Sequence, residues 1–315
     1  MSKSIRLGVI GGGQLGSLLC AAAKKLKEFT SKVDVVTYEF ENIPVNFLNL
    51  IQREKKVLPS PNINKIAQNR KLEKTFVNEI GIKTTDWVFI KSAEDIKKNQ
   101  HLLPGILKSN TLGYDGKGQF VLNTFDDVKK DWCFTNNYIL EKKVDLKKEI
   151  SVVIARYSDG TMSFYEPIEN VHKNQILFKS KIPADINDKI FDKAISNAKK
   201  ISEKLNYVGV LTVEYFITEK DELLVNELAP RFHNSGHLTI DAFNHSQFSL
   251  HVSCVCNLGS KPIGKISNAE MYNILGSEIL EYRKRKFKKN EFFYDYLKKE
   301  PRDGRKMGHL TILKD

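Results

Sequence analysis

Hydrophobic residues cluster in two neighbouring segments, 210–217 and 223–228, which a short charged stretch separates. Both segments are rich in β-branched and aromatic residues, so the pattern predicts a β-hairpin. With Lys220-Asp221 as a two-residue turn, opposed residues have numbers that sum to 441, and Glu214 faces Glu227. Opposed carboxylates destabilise a ladder unless a cation lies between them. The hairpin therefore predicts a Mg²⁺ site, because Mg²⁺ is commonly held by one or two carboxylates and substrate phosphates; a surface hairpin with two solvated acids is the alternative.

A short polar segment begins in the second arm of the hairpin and extends beyond it. It carries polar and cationic side chains at Asn226, Arg231, His233, Asn234, Ser235 and His237. Functional residues concentrate in such loops, and an arginine can hold a planar anion with two hydrogen bonds. A single histidine is more often a hydrogen-bonded structural residue, but the setting of His233 favours a role in binding or catalysis.

The remaining pattern predicts an alternation of strands and helices. Helices are expected at 15–29, 64–80, 95–99, 190–205 and 247–256, and in charged stretches of the C-terminal tail. Strands are expected at 5–10, 33–40, 87–90, 105–108, 120–122, 138–141, 149–156, 163–171, 175–181 and 269–274. A predicted strand at 33–40 this soon after the first helix indicates an abbreviated first α/β unit that ends near residue 60.

Two glycine-rich segments are candidate phosphate sites. Residues 11–16 fit G-x-G-x-x-G between a strand and a helix, but a dinucleotide site also needs an acid about 20 residues on at the end of a second strand. Its absence argues against a dehydrogenase. Residues 113–119 contain three glycines and Lys117, close to Lys108, and can cover phosphates with backbone donors; a glycine-rich hairpin turn is the alternative.

Composition and charge indicate which partners and which location to expect. The 315 residues carry a net charge of +12, yet the lysines are spread along the chain, and no nucleic-acid-binding motif appears. Nucleic-acid binding is therefore a weak alternative, and phosphorylated small molecules suit the charge better. No apolar run is long enough for a membrane span or a signal segment, so a cytoplasmic location is expected. Four cysteines without zinc-site spacing are expected to be structural thiols, at Cys20, Cys133, Cys254 and Cys256.

Together these segments resemble the ATP-grasp superfamily and, within it, the N5-carboxyaminoimidazole ribonucleotide synthetases. The likeness rests on GGGQLG, VVTYEFENIP, QNRKLEK, GYDGKGQ, EKKVDLKKEIS, NVHKNQI, GVLTVEYF, NELAPRFHNSGH and GRKMGHL, in the family's order along nearly the whole chain. It implies an α/β and α+β protein with an ATP-grasp fold. The implied reaction is the carboxylation of 5-aminoimidazole ribonucleotide with ATP and bicarbonate, through carboxyphosphate, in purine biosynthesis.

The resemblance also assigns roles to individual residues. ATP is assigned to Arg70, Lys108, Gly113, Tyr114, Asp115, Gly116, Lys117, Gly118, Gln119, Glu141, Lys142, Lys143, Val144, Glu149, His172, Asn226 and Glu227. Magnesium is assigned to Glu214 and Glu227, and catalysis to Arg231, His233 and Asp115. The ribonucleotide substrate is assigned to Gly13, Gln14, Leu15, Tyr114, Arg305 and Lys306. A homodimer is also implied.

One departure from the family concerns the first domain. The family normally has about one further β-α-β stretch between the first helix and VVTYEFENIP. In a sheet of Rossmann order the missing strands would be outer ones, so the first strand and residues 33–40 are expected to remain neighbours in a narrower sheet with a newly exposed edge. We expect this domain at 1–60, an ATP-grasp domain at 61–256 with a lid at about 87–145, and a small domain at 257–315. A non-catalytic ATP-binding protein is the alternative function.

Overall fold

Three β-sheets organise the part of the protein that the structure describes. The computed structural model describes residues 5–10, 30–112, 118–129, 132, 134 and 137–314. The glycine turn at 11–16, the helix expected at 15–29 and loop residues 113–117 lie outside the described residues, as do Cys20 and Cys133. Among the described residues, no helix has the length and apolar character needed to cross a membrane.

The helices predicted at 64–80, 95–99, 190–205 and 247–256 are present with different bounds, whereas those at Val45–Gln52 and Thr239–Ala242 were not predicted. They are α1 (Val45–Gln52), α2 (Pro61–Ala67), α3 (Arg70–Glu79), α4 (Ala93–Lys98), α5 (Asp188–Lys204), α6 (Thr239–Ala242), α7 (Gln247–Val255) and α8 (Ile279–Tyr282). The predicted helix at 64–80 is two helices, because the side chain of Asn69 accepts from the backbone N–H of Leu72 and caps α3.

The strands form sheets of three, nine and four members. They are β1 (Leu7–Ile10), β2 (Val35–Tyr38), β3 (Lys56–Val57), β4 (Trp87–Ile90), β5 (Gly105–Ser109), β6 (Gln119–Leu122), β7 (Tyr138–Lys142), β8 (Leu146–Arg156), β9 (Met162–Phe164), β10 (Ile168–Lys173), β11 (Ile176–Ile182), β12 (Gly209–Thr218), β13 (Leu223–Ala229), β14 (Asn268–Leu275), β15 (Glu291–Asp295) and β16 (Lys306–Lys314). The prediction of charged helices in the tail was wrong beyond α8: β15 lies there, with its charged neighbours in turns.

The first sheet has the order β1-β2-β3, and β1 pairs with β2 in parallel, with Leu7 opposite Val35. This confirms that the first strand and the strand within 33–40 are neighbours. Strand β2 is fully buried, whereas Val9 on β1 is 54% exposed. Among the described residues β1 is thus an edge strand, as the narrower sheet predicted.

The nine-stranded sheet has the order β13-β12-β8-β10-β11-β14-β16-β15, with β9 paired to β8. Helix α5 covers one face with its buried stripe at Ile190, Ala194, Ala198 and Ile201, which recur at helical spacing. Helix α7 covers the other face with residues such as Leu250. Strands from both sides of residue 257 therefore share one continuous sheet.

The four-stranded sheet has the order β4-β7-β5-β6 and its own small core around Leu107 and Leu140. It lies between α3 and β8 in the chain. Its strand β5 ends at Ser109 and delivers Lys108, which pairs with Gln119 on β6. This position corresponds to the predicted lid.

The hairpin β12–β13 carries the predicted pair: Glu214 lies directly opposite Glu227. The predicted two-residue turn was wrong, because Ile217 pairs with Leu223 and the loop has three residues, 219–221. Asp221 closes it with a φ of 56°, the left-handed residue typical of three-residue hairpin loops. A bulge that leaves Asn226 unpaired then shifts the register by one and restores the opposition of the two glutamates.

Candidate active site

Glu214 and Glu227 face a cavity of about 290 Å³ between the hairpin and the four-stranded sheet. Its lining combines the predicted acids and cations with apolar walls, at Arg70, Ile106, Lys108, Gln119, Glu149, His172, Gln175, Leu177, Glu214, Phe216, Asn226, Glu227, His233, Asn234 and Lys306. Glu214 and Glu227 lie thirteen residues apart, and Lys108 precedes them by about a hundred residues; these groups meet because the lid sheet folds back over the hairpin. The alternative of a solvated surface hairpin is therefore excluded.

Each of the two carboxylates is already contacted by a basic side chain. The Nε2–H of His233 donates to Oε1 of Glu214 at 3.0 Å, and the guanidinium of Arg70 lies 3.5 Å from Oε2 of Glu227. Burial alone would raise the pKa of Glu214, but the charges of His233, His172 and Arg231 outweigh it and lower the pKa to about 2. Glu214 is therefore ionised at neutral pH.

A buried cluster of three ionised groups supports Lys108. Lys108 and Lys74 approach the two oxygens of Glu141 at 2.7 and 2.8 Å, and all three side chains are at most 6% exposed. Burial lowers the pKa of Lys108. The resemblance assigned Glu141 to ATP, but its carboxylate forms ion pairs with the two lysines. The cluster thereby positions the ammonium group of Lys108 at the cavity wall.

A second acid–base pair lies across the same cavity. Oε2 of Glu149 is 3.0 Å from Nδ1 of His172. Burial lowers the pKa of His172, but the hydrogen bond and charge of Glu149 outweigh it and raise the pKa. Both residues were predicted to bind ATP, and the structure brings them together on β8 and β10.

A second cavity of about 250 Å³ adjoins the first and shares Arg70, Glu227, His233, Asn234 and Lys306 with it. Glu41 forms an ion pair with Arg231 here. Burial alone would lower the pKa of Arg231 and raise that of Glu41. The charge and hydrogen bond of each partner outweigh burial, so the pKa of Arg231 is raised and that of Glu41 is lowered. Acidic and basic side chains therefore line the second cavity as well, next to the residues that the two cavities share.

Some predicted site residues lie elsewhere. Lys142, Lys143 and Val144 line a separate groove of about 980 Å³, beside Trp87. Arg305 is exposed and donates to the carbonyl oxygen of Glu300, so of the predicted pair only Lys306 lines the two cavities. The predicted residues Gly13, Gln14, Leu15, Gly113, Tyr114, Asp115, Gly116 and Lys117 lie outside the described residues; Gly118 adjoins them with a φ of 72°.

Three residues of the site were missed from the sequence. Lys74 and Glu73 lie one turn beyond Arg70 on α3, so the helical spacing i, i+3 and i+4 was the available signal. Glu73 accepts from the backbone N–H of Leu228 at 2.6 Å, and burial raises its pKa to about 8. Glu41 was not singled out, and nothing local in its sequence indicated Arg231 as its partner.

The donor set fits a hard divalent cation. Asn226, next to Glu227, has a buried Oδ1 that finds no hydrogen-bond partner among the described residues, which adds a third oxygen to the two carboxylates. No group of three or more His, Cys, Asp or Glu side chains that could hold a metal occurs in the described part of the chain. A cation here would therefore depend on ligand phosphates to complete its coordination, as Mg²⁺ commonly does.

Two sheets that enclose a lysine and two opposed glutamates, beside a second cavity lined by acids and bases, define an ATP-grasp enzyme. The family model described as the ATP-grasp domain matches residues 75–248. The model of the ribonucleotide synthetase preATP-grasp domain matches residues 23–68, and that of the phosphoribosylaminoimidazole carboxylase C-terminal domain matches residues 269–315.

Relatives with known names are similar to this chain over nearly its whole length. An N5-carboxyaminoimidazole ribonucleotide synthase of Brucella melitensis is 37% identical, with 98% of this chain and 96% of the relative covered. A Staphylococcus aureus N5-carboxyaminoimidazole synthetase complexed with ADP is 32% identical with a TM-score of 0.89, covering 100% and 94% of the two chains. An Aspergillus clavatus N5-carboxyaminoimidazole synthase, in complex with ADP and 5-aminoimidazole ribonucleotide, is 26% identical with a TM-score of 0.86, covering 100% and 95%.

The chain therefore belongs to the N5-carboxyaminoimidazole ribonucleotide synthase family of ATP-grasp ligases. This confirms the family, the fold and the enzyme class predicted from the motifs. The alignment with the Brucella protein is 347 positions long, more than the 315 residues of this chain, so the relative carries residues without a counterpart here.

Proposed function

We propose that this protein carboxylates 5-aminoimidazole ribonucleotide with ATP and bicarbonate. An oxygen of bicarbonate attacks the γ-phosphorus of ATP, an O–P bond forms, and ADP leaves. The exocyclic amine then forms an N–C bond to the carboxyl carbon of carboxyphosphate, or of the CO₂ it releases. Phosphate leaves, the amine loses a proton, and N5-carboxyaminoimidazole ribonucleotide is the product.

The first cavity is the proposed ATP site. Lys108, fixed by Glu141, and Arg70 supply positive charge for the phosphates, which is the main requirement of phosphoryl transfer. Phe216 and Ile106 offer apolar walls to the base, and Glu149 offers a carboxylate to the ribose. Glu214, Glu227 and Asn226 would hold Mg²⁺, which neutralises phosphate charge when bound.

The second cavity is the proposed site of bicarbonate and the ribonucleotide. Arg231 and His233 would orient bicarbonate, since a guanidinium binds a planar anion with two hydrogen bonds. Lys306 would bind the ribonucleotide phosphate, and Arg305, Tyr114, Asp115 and the turn at 11–16 keep the roles that the resemblance assigns. Lys142, Lys143 and Val144 keep a proposed role at the base through their backbone groups.

One observation carries this proposal: the two cavities meet at Arg70, Glu227 and His233. A phosphoryl donor in one and an anionic acceptor in the other would react at this junction. The similar Staphylococcus and Aspergillus structures, with ADP and with ADP plus 5-aminoimidazole ribonucleotide, support the same two ligand classes.

A coupled ADP-release assay tests the proposal, with bicarbonate and 5-aminoimidazole ribonucleotide each omitted in turn. We expect release that needs bicarbonate and increases with the ribonucleotide. ATP binding by titration calorimetry without any release would instead identify a non-catalytic ATP-binding protein and reject the proposal.

Several wider features belong to the same proposal. We expect the metal to be Mg²⁺, the enzyme to be a homodimer and its location to be cytoplasmic, where its phosphorylated substrates occur. The division into domains at 1–60, 61–256 and 257–315 is proposed with them. Light scattering, cell fractionation and limited proteolysis measure the last three.

A further inference from the structure

A fully buried glutamine holds the loop that carries His233. Oε1 of Gln247, the first residue of α7, accepts from the backbone N–H of His233 at 2.9 Å, and Nε2 of Gln247 donates to the backbone carbonyl of His233 at 2.8 Å. Nε2 also donates to Nδ1 of His237 at 3.0 Å. We call these three hydrogen bonds, from the side chain of Gln247 to His233 and His237, the glutamine clamp.

The backbone of His233 fixes the orientation of the clamp. A backbone N–H can only donate and a carbonyl oxygen can only accept, so Oε1 of Gln247 has to face the first and Nε2 the second. The other hydrogen of Nε2 then points at Nδ1 of His237. Burial lowers the pKa of His237, so its ring is neutral and can accept this hydrogen. Both amide hydrogens of Gln247 are therefore used.

The clamp leaves no room for a side chain at Gly236. A Cβ at this position would lie 2.4 Å from Oε1, 2.7 Å from Cδ and 3.0 Å from Nε2 of Gln247. The φ of Gly236 is not in the left-handed region, so close approach, and not backbone conformation, requires glycine here. Gly236 thus belongs to the clamp as the residue over which the amide passes.

Helix α7 holds Gln247 itself in place. The backbone N–H of Gln247 donates to Oγ1 of Thr239 at 3.0 Å, and this hydroxyl donates to the carbonyl oxygen of Gly236 at 2.6 Å. One turn further along α7, Nδ1 of His251 accepts from the backbone N–H of Val210 on β12 at 3.1 Å. The helix is therefore bonded to the central sheet and to the loop, and Gln247 is a fixed point against which the loop is placed.

The loop that the clamp holds supplies side chains to the junction of the two cavities. His233 and Asn234 line both cavities, and Arg231 lines the second. These residues are consecutive or nearly so, and a shift of the backbone at His233 would displace them together. Gln247 lines neither cavity, so it acts on the junction only through the loop.

We propose that Gln247 is a positioning residue, and that the glutamine clamp sets where Arg231, His233 and Asn234 meet bicarbonate at the junction. This inference rests on the proposed function, in which the second cavity binds bicarbonate. It adds Gln247 and Gly236, which contact no substrate, to the residues that the reaction requires.

Steady-state kinetics of Gln247→Met test the positioning role. Methionine has a similar length and makes none of the three hydrogen bonds. We expect kcat/KM for bicarbonate to fall about 10- to 100-fold, the effect of a displacement of about 1 Å near a reacting group, and the Kd for ATP to stay unchanged. Val255→Ala is the matched control, because Val255 is buried at the end of the same helix against Val35 and Leu58, and should lower only the unfolding midpoint. Equal changes in both constants of Gln247→Met, or none, would overturn the inference.

A second variant covers the case in which Gln247→Met does not fold. Gly236→Ala displaces the amide of an unchanged Gln247 and should cause a similar loss of kcat/KM for bicarbonate. In Gln247→Ala the obstructing side chain is absent, so adding Gly236→Ala should cause no further loss, and the double-mutant cycle should be strongly non-additive. Wild-type kinetics of Gly236→Ala, or additive losses in the cycle, would contradict the proposal.

Amide hydrogen exchange, read in ¹⁵N–¹H spectra of the protein without ligands, tests the clamp independently of the reaction. The N–H of His233 should exchange at least about tenfold faster in Gln247→Met than in the wild type, whereas the N–H of Val210 should keep its rate. Unchanged exchange at His233 would reject the clamp, and faster exchange with wild-type kinetics would reject the positioning role. A wild-type enzyme without bicarbonate-dependent turnover would reject the proposed function, while the exchange rates would still decide the clamp.

Discussion

The carboxylate of Glu141 lies buried between the ammonium groups of Lys74 and Lys108, and no other acid contacts either ammonium group within 4.0 Å among the described residues. Glu141→Gln keeps the size of the side chain and removes its charge. Two lysine cations then remain buried without an anion. Breaking a buried ion pair in this way typically costs about 3–5 kcal/mol of stability.

The pKa of Glu141 leads to a similar figure. Burial by itself would raise this pKa, but Lys108 and Lys74 lower it from 4.5 to about 2. A difference of about 2.5 pKa units corresponds to about 3 kcal/mol. Because the folded pKa is the lower one, this stability is present above pH 4.5 and is lost as the pH falls from 4.5 towards 2.

Urea unfolding at pH 7 measures the effect, with fluorescence of the two tryptophans, Trp87 and Trp132, as the signal. We expect Glu141→Gln to lose about 3 kcal/mol of unfolding free energy, and the difference from wild type to shrink below pH 4.5. Glu222→Gln is the matched control: its pair with Lys83 is 3.2 Å long, but the side chains are 50% and 67% exposed, so about 1 kcal/mol or less is expected. Equal losses in the two variants would refute the reasoning.

Three further predictions follow from the site and its supports. Glu227→Gln should weaken Mg²⁺-dependent ATP binding at least about tenfold in calorimetry, and unchanged affinity would contradict the metal site. Arg231→Met should raise the KM for bicarbonate by about 10- to 100-fold without affecting ATP binding, since a charge-assisted hydrogen bond is lost; a larger effect on ATP would place Arg231 at the nucleotide. Burial lowers the pKa of His251 from 6.5 to about 4, so the unfolded chain binds a proton at a higher pH than the folded chain does, and this histidine should contribute about 2 kcal/mol to the stability that the wild type loses between pH 7.5 and 5. In urea unfolding His251→Leu should lack this contribution, although it also forfeits the hydrogen bonds to Thr37 and Val210; an unchanged pH dependence would disprove the assignment.

Local patterns predicted most of the elements because the spacing of apolar residues within an element shows its period and the face that it buries. The stripe of α5 and the β-rich runs of β8 and β12 are such cases. The tail was misread because its charge suggested solvated helices. Strand β15 instead pairs with β16, with Phe293 opposite Leu310, a partner that no local pattern reveals.

The opposition of Glu214 and Glu227 was predicted correctly, although one assumption behind the prediction was wrong. A two-residue turn was assumed, whereas the loop has three residues and the bulge at Asn226 compensates for it. Register depends on loop length and bulges together, and neither is encoded by hydrophobicity alone. The bulge also has a consequence of its own, because it leaves Asn226 beside Glu227 with a buried, unpaired Oδ1 within the described structure.

The sequence by itself determined the family, the order of elements and the acidic pair, since motifs and periodicity are properties of neighbouring residues. Tertiary structure decided which charges meet: Lys74 with Glu141, Glu41 with Arg231, and His233 with Glu214. These partners lie between about 20 and 190 residues apart, and only the packing of three sheets brings them within hydrogen-bonding distance, where low polarity makes each pairing matter.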